Sequence, residues 1–313
     1  MRPILPRPAL LAPALLAPAL LLLATFAGCR DFKKSIDPQE LVPHGDLRVY
    51  ATEELAEVAG RHARQFEQQF PEARVAVETR STRAAIVALL ADSGRAAYTD
   101  RLLNAQEQAV NDGHRDSLRV TPRHVGFGAL VFVAHPSNPV AALPVSMLPA
   151  LVRGAAPSWT ALGGAGPVLL ATTGKNSGTY EVLATQFVPG AGDLVPAFVG
   201  ASPRAVMDFV AAQPGGLGVV PLSALADTLA AGVRVLPLRA GVGDSSYVVR
   251  PSQLSVYEQS YPLHYKLYLY TTGRMSLLPS RFAGFVGGRV GQRAVQAAGL
   301  VPQTVPARTV SLK

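Results

Sequence analysis

Between residues 47 and 112 the chain alternates two kinds of apolar spacing, and this alternation restricts the fold more than any other feature. Residues 47–51 (Leu-Arg-Val-Tyr-Ala) read as a short strand, and 54–70 place Leu55, Val58, Ala59, His62, Phe66 and Phe70 on one helical stripe. A strand over 73–78 follows, then a helix over 82–91 with Ala85, Ile86, Leu89 and Leu90 inward. A strand over 96–99 and a helix over 104–112, ended by Gly113, complete the series. Strand, helix, strand, helix, strand in sequence implies a largely parallel sheet covered by helices on both faces.

A second α/β set is predicted downstream. The nearly all-apolar run 126–134, bounded by Pro136 and Pro139, fits a buried strand. After it come a helix over 145–152, a turn of helix over 159–162, a strand over 168–171 and helices over 179–187 and 203–212. Strands follow over 218–220 and 233–236, and 264–270 alternates polar and apolar as another. A terminal helix over 279–298 carries Phe282, Phe285, Val286, Val290 and Val295. The pattern is that of two comparable α/β lobes, and with no fixed short period a solenoid is not expected.

Composition narrows the partners. Of 313 residues, 49% are hydrophobic and 16% charged, so the chain packs a globular body. The net charge of +8 is spread over scattered Lys and Arg, with no run longer than two and no aromatic platform motif, so no nucleic-acid partner is expected. One Cys excludes a disulfide framework and four-thiolate zinc sites, and the six His never stand at metal-binding spacing. Neither a metal nor a cofactor is expected.

The single Cys has a context of its own. Arg2 and Arg7 lead, residues 9–27 carry no charge, and Phe26-Ala27-Gly28-Cys29 follows, so 1–28 read as an export signal. The junction is similar to a bacterial lipobox, in which the Cys is acylated; here Phe26 stands where Leu is usual. A plain secretory signal and a retained membrane helix are the other readings, the latter weakened by Pro13 and Pro18. Removing 1–28 takes away two Arg and no acid, leaving 27 basic against 21 acidic residues. Residues 29–46, with Pro38, Pro43 and Gly45 and no apolar period, read as a tether. The expected location is the periplasmic side of a bacterial envelope, with a lipid anchor in the membrane.

In open α/β sheets ligands bind beyond the carboxyl ends of strands, where helix N-termini present free N–H groups. Four segments stand there: Thr52-Glu53-Glu54, Arg80-Ser81-Thr82-Arg83, Thr99-Asp100-Arg101, and Gly174-Lys175-Asn176-Ser177-Gly178-Thr179-Tyr180. In Ser177-Gly178-Thr179, Gly lets backbone approach a ligand, both hydroxyls donate, and the helix dipole favours negative charge. Helix capping is the other use of the same Ser and Thr residues. A serine hydrolase is not expected, because residues 174–178 lack the G-x-S-x-G elbow and Ser177 has no evident base.

Several stretches carry a family resemblance: 125–139 (Val-Gly-Phe-Gly-Ala-Leu-Val-Phe-Val-Ala-His-Pro-Ser-Asn-Pro), Leu151-Val-Arg-Gly154 with Trp159-Thr-Ala-Leu-Gly-Gly164, and Asn176-Ser-Gly-Thr-Tyr-Glu181. Pro214-Gly-Gly-Leu-Gly-Val219, Tyr261-Pro-Leu263 with Leu267-Tyr-Leu-Tyr-Thr271, and Ala298-Gly-Leu-Val-Pro302 continue it in order. Over about 47–302 the chain resembles the phosphate-binding subunits of ABC transporters. That resemblance implies the two-lobed periplasmic-binding-protein fold of type II, each lobe a mostly parallel sheet flanked by helices. Lobe I would comprise 47–122 and 272–304, lobe II 126–260, with crossovers at 123–125 and 261–271 as hinge and 305–313 as a tail. It further implies a monomer, not an enzyme, that captures phosphate or a related oxyanion between the lobes and delivers it to permease subunits. Asp100 stands where a carboxylate would accept the proton of hydrogen phosphate, with Thr82, Ser177 and Thr179 at hydroxyl positions. Thr52, Ser81, Arg101, Lys175, Asn176 and Gly178 complete the expected ligand set. The chain departs from the pattern at Thr173, where an Arg is common, at Lys175, where an acid often stands, at Glu53 and Glu54 in place of a small residue and Thr, and at Arg83 in place of Gly. These departures support an alternative, a lipid-anchored sensor or interaction protein that keeps the lobes without phosphate capture.

Overall fold

The computed structural model describes residues 42–155, 158–188, 192–227, 231–273 and 277–304. The leader 1–28, Cys29, most of the tether and the tail 305–313 lie outside the described residues. The first elements are β1 (Gly45–Ala51), α1 (Glu53–Gln69), β2 (Ala73–Thr79), α2 (Thr82–Leu90), β3 (Ala96–Thr99) and α3 (Ala105–Gly113), as the periodicity predicts. Gly45 and Asp46, read above as the end of a tether, open β1 because they pair with Ala73 and Arg74 of β2. β1 runs parallel to both β2 and β3. Its residues alternate between two cores, Val49 packing with Phe66 and Phe282 on one face and Tyr50 with Ile86 and Leu89 on the other. That is the double coverage expected of parallel strands. Gly113 is the last helical residue of α3 rather than a left-handed cap, and extended His114 follows it.

β4 (Val120–Ala134) is longer than the expected 126–134, because its first residues pair with β12 (His264–Thr272). Polar and proline residues hid this extension: Thr121, Pro122, Arg123 and His124 break the apolar run while the ladder continues beneath them. The second set comprises β5 (Leu143–Pro144), α4 (Leu148–Val152), β6 (Leu169–Thr173), α5 (Gly178–Phe187), β7 (Phe198–Gly200), α6 (Pro203–Ala212) and β8 (Gly216–Pro221). β9 (Arg234–Leu236), β10 (Leu238–Ala240), β11 (Tyr247–Val249) and α7 (Gln253–Tyr257) precede β12, and α8 (Leu277–Gly287), α9 (Arg289–Ala297) and β13 (Val301–Pro302) follow it. The helix expected over 145–152 divides into a 3-10 turn and α4. The single terminal helix expected over 279–298 is two, since Gly288 adopts an extended conformation and caps α9.

The main sheet has the order β2-β1-β3-β12-β4-β8-β6-β7, with β9 and β13 also pairing β4. Each end is parallel, β1 with its neighbours and β6 with β7 and β8, and antiparallel β12 and β4 join the ends. β4 passes from β12 to β8 near Ala129 and Leu130, so one continuous strand serves both sides of the molecule. The second side has its own core, centred on Phe132, Leu143, Leu183 and Trp159, whose indole N–H donates to the Gly215 carbonyl at 3.0 Å. Tyr265 packs against the cores of both sides. A separate three-stranded sheet, β11-β10-β5, lies beside this second core. Among the described residues no helix is long and apolar enough to cross a membrane.

Candidate functional site

The carboxyl ends of β1, β2 and β3 lead into Thr52, Arg80–Thr82 and Asp100, and that of β6, which runs in the opposite direction, into the turn 174–177, so the four expected segments point towards the middle of β4 from its two sides. The decisive contact is between sides. Gly178, the first residue of α5, lies so close to Asp100 that a methyl group added there would overlap the Asp100 carboxylate. Only glycine fits, and the α5 N-terminus is thereby set against a carboxylate from the other half of the sheet. Asp100 is 4% exposed and accepts hydrogen bonds from Thr82 Oγ1 at 3.2 and 3.4 Å. Across the same gap Thr179 Oγ1 donates to Glu54 Oε1 at 3.4 Å. Thr52, the N-cap of α1, is buried, yet its hydroxyl neither caps the helix nor meets any other partner among the described residues.

Burial pushes the Asp100 carboxyl up to about 7, and the nearby Glu54 and Glu181 charges add to the rise, while the Thr82 hydroxyl opposes it. Glu53 is also raised, by burial and then by Glu54 beside it. Tyr265 stands behind this group: burial, with the charges of Asp100 and Glu54, holds its hydroxyl well above the usual phenol range. Its ring lies against Gly128, where a Cβ would sit 2.8 Å from the ring.

The two cations of the expected ligand set, Arg101 and Lys175, are engaged elsewhere. Arg101 pairs with Glu107 at 2.6 Å and, across the cleft, with Glu181. Burial alone would lower the Arg101 pKa, but these two carboxylates hold it above its ordinary value. Lys175 is exposed and pairs with Asp193 at 2.7 Å, and Arg80 pairs with Glu78 while stacking over the Tyr50 ring. Ser81 caps α2 through the Ala84 N–H, and Ser177 caps α5 through the Tyr180 N–H, its hydroxyl sharing a 2.6 Å hydrogen bond with Thr173. A cavity of about 580 Å³ opens over this floor, lined by Glu53, Glu54, Arg80, Ser81, Asn176 and Ser177 among others. A second of about 390 Å³ is bounded by Arg83, Arg101, Lys175 and Glu181. No group of three His, Cys, Asp or Glu among the described residues is arranged to hold a metal.

A two-sided α/β body with a polar cleft at the strand ends is matched by a sequence family, the PBP superfamily domain, over residues 38–287. The chain belongs to the PBP superfamily. No curated protein sequence matches it. Among solved structures it is similar to a Clostridium perfringens protein assigned as a phosphate ABC transporter substrate-binding protein, solved with phosphate bound. The two share 16% identity at a TM-score of 0.70, covering 83% of this chain and 100% of that one. An ABC-type phosphate transport receptor from Vibrio cholerae is 18% identical, with a TM-score of 0.66 over 82% of this chain and 99% of its own. The OxyR2 regulatory domain from Vibrio vulnificus also matches, at 14% identity and a TM-score of 0.51, covering 78% of this chain and 96% of that one. These likenesses show the two-lobed fold.

Within this PBP-superfamily cleft five residues stand out that motif reading did not place. Glu181 bridges to Arg101, but in sequence it reads only as the acid of a helix first turn. Tyr265 lies in an alternating strand, where either face was compatible with its spacing. Val199, Gly200 and Ala201 line the larger cavity from β7, too short a strand to give a period.

Proposed function

We propose that the protein is an exported, lipid-anchored substrate-binding protein that captures phosphate or a similar small oxyanion between its lobes for an ABC transporter. The observation that carries this reading is the α5 N-terminus, Ser177-Gly178-Thr179, set against Asp100, with the Thr82 hydroxyl and the unpartnered Thr52 hydroxyl at the neighbouring strand ends. Helix N-terminal amides and hydroxyls suit a dehydrated oxyanion. A buried carboxyl with a raised pKa donates a hydrogen bond when neutral; when ionised it accepts the proton of a hydrogen-bearing anion and penalises anions that offer none. The phosphate-bound state of a solved relative supports the ligand class. The lobe boundaries 47–122 with 272–304 and 126–260, the hinge at 123–125 and 261–271, and the anchor at Cys29 belong to this reading.

A second reading, a sensor or interaction protein on the same fold, is favoured by the Glu54–Thr179 contact and by Thr173 at the position where a cation would pair the anion. Calorimetric titration with phosphate, sulfate and arsenate separates the two. Saturable heat with phosphate or arsenate, and little with sulfate, is the expected result; no heat with millimolar phosphate sinks the transport reading.

A further inference from the structure

We propose that Glu54 is a built-in competitor for the anion: from the first lobe its carboxylate takes the hydrogen bond of the Thr179 hydroxyl, and an incoming oxyanion must displace it. This rests on the reading of the cleft as an oxyanion site. Thr179 carries one hydroxyl proton, so it can donate to Glu54 or to a ligand oxygen, never to both. It now donates to Glu54 Oε1, from the second residue of α5 to the second residue of α1.

The two carboxylates of the cleft are placed differently. Asp100 is walled in by Gly178 and held by Thr82, so it stays where it is. Glu54 is only half-buried, on the first turn of its helix beside exposed Glu53, so its side chain has solvent to swing into. Three cations of the region pair with other carboxylates: Arg80 with Glu78, Arg101 with Glu107 and Glu181, and Lys175 with Asp193. A carboxylate that takes the anion's own donor opposes binding by both charge and hydrogen-bond competition.

The test pairs phosphate titration with a double-mutant cycle. Glu54→Ala and Glu54→Gln are titrated with inorganic phosphate at neutral pH, and Glu54→Ala, Thr179→Val and the double variant are unfolded in urea without added anion. Glu54→Ala is expected to bind phosphate at least tenfold more tightly, Glu54→Gln to fall between it and the parent, and the urea midpoints to be non-additive. If Glu54→Ala does not fold, Glu54→Gln, which keeps the volume and an acceptor, carries the same test. Unchanged or weaker phosphate binding in both variants overturns the competitor role while leaving the oxyanion site standing. Additive urea midpoints overturn it as well, since the contact then does not exist in solution. Phosphate bound by neither parent nor variant overturns the oxyanion reading itself, and the competitor with it.

Discussion

Replacing Asp100 with Asn should change how the protein's stability depends on pH, in a direction fixed by the structure. The Asp100 carboxyl is raised from its ordinary 3.8 to about 7, chiefly by burial. The folded state therefore holds a proton that the unfolded chain has released, and stability falls as pH rises between about 4 and about 7, then levels off. A rise of about three pH units corresponds to roughly 4 kcal/mol between the protonated and ionised limits, and the group is too buried for solvent to screen much of it. Between about pH 4.5 and about pH 8 the share lost is roughly 3 kcal/mol. Asn mimics the neutral acid and can still accept from Thr82 Oγ1, so Asp100→Asn should match the parent near pH 4.5 and exceed it by about that amount near pH 8. Urea unfolding of both proteins at a series of pH values measures the gap. Because Glu54 contributes to the rise, Glu54→Gln should narrow the window from its upper side. A gap that stays flat, or that opens towards acid, would falsify the assignment of Asp100 as the buried proton holder.

Other changes reach the same architecture from different sides. Gly178→Ala should hold the two lobes apart, because the added methyl overlaps Asp100; a larger radius of gyration by X-ray scattering and at least tenfold weaker phosphate binding are expected, with unaltered helicity because Ala costs nothing in a helix. An unchanged radius and affinity would show the contact to be soft. Glu181→Gln should cost about 1–2 kcal/mol in urea unfolding, since Arg101 loses one of its two carboxylates, and moderate salt should shrink the difference. No salt dependence would argue against an ionic bridge. Trp159→Ala should cost roughly 3–5 kcal/mol by thermal unfolding, as the largest fully buried side chain of the second core is removed together with its bond to Gly215; a loss under about 1 kcal/mol would mean that core is not continuous there.

What the sequence revealed depended on how much of each element was periodic. α1 and α6 are long enough to declare a face, and both lie within a residue or so of their expected bounds. β10, β11 and β7 have three residues each, which is less than two periods of any pattern. The polar start of β4 was silent because its ladder to β12 is a tertiary fact that Thr121 and Pro122 do not express locally. In the site, the placement of each turn at a strand end follows from the alternation, but the approach of the Gly178 and Asp100 turns depends on a strand order, with β4 shared by both halves, that the alternation does not state. The partners of Arg101 and Lys175 do not, because Glu181 and Asp193 lie 80 and 18 residues away in the chain. A charged residue beside a binding loop can be read from sequence, whereas its engagement by a distant carboxylate cannot.

The basic surplus of the chain and the acidity of its cleft act over different distances, and this predicts a division of labour in binding kinetics. With the leader removed the net charge, 27 basic less 21 acidic residues or +6, attracts an anion from afar, but at physiological salt that field decays over about 8 Å. Inside the cleft the ligand meets Glu54 and Asp100, while Arg101 is already paired on both sides. Raising salt from about 20 to about 500 mM should therefore slow phosphate association several-fold and leave dissociation nearly unchanged. Replacing Glu54 should do the reverse, altering dissociation with little effect on association. Stopped-flow measurements resolve both rates. If salt instead accelerated dissociation as strongly as it slowed association, the ion would be held by an exposed cation such as Lys175, and the contacts at the α5 N-terminus would be secondary.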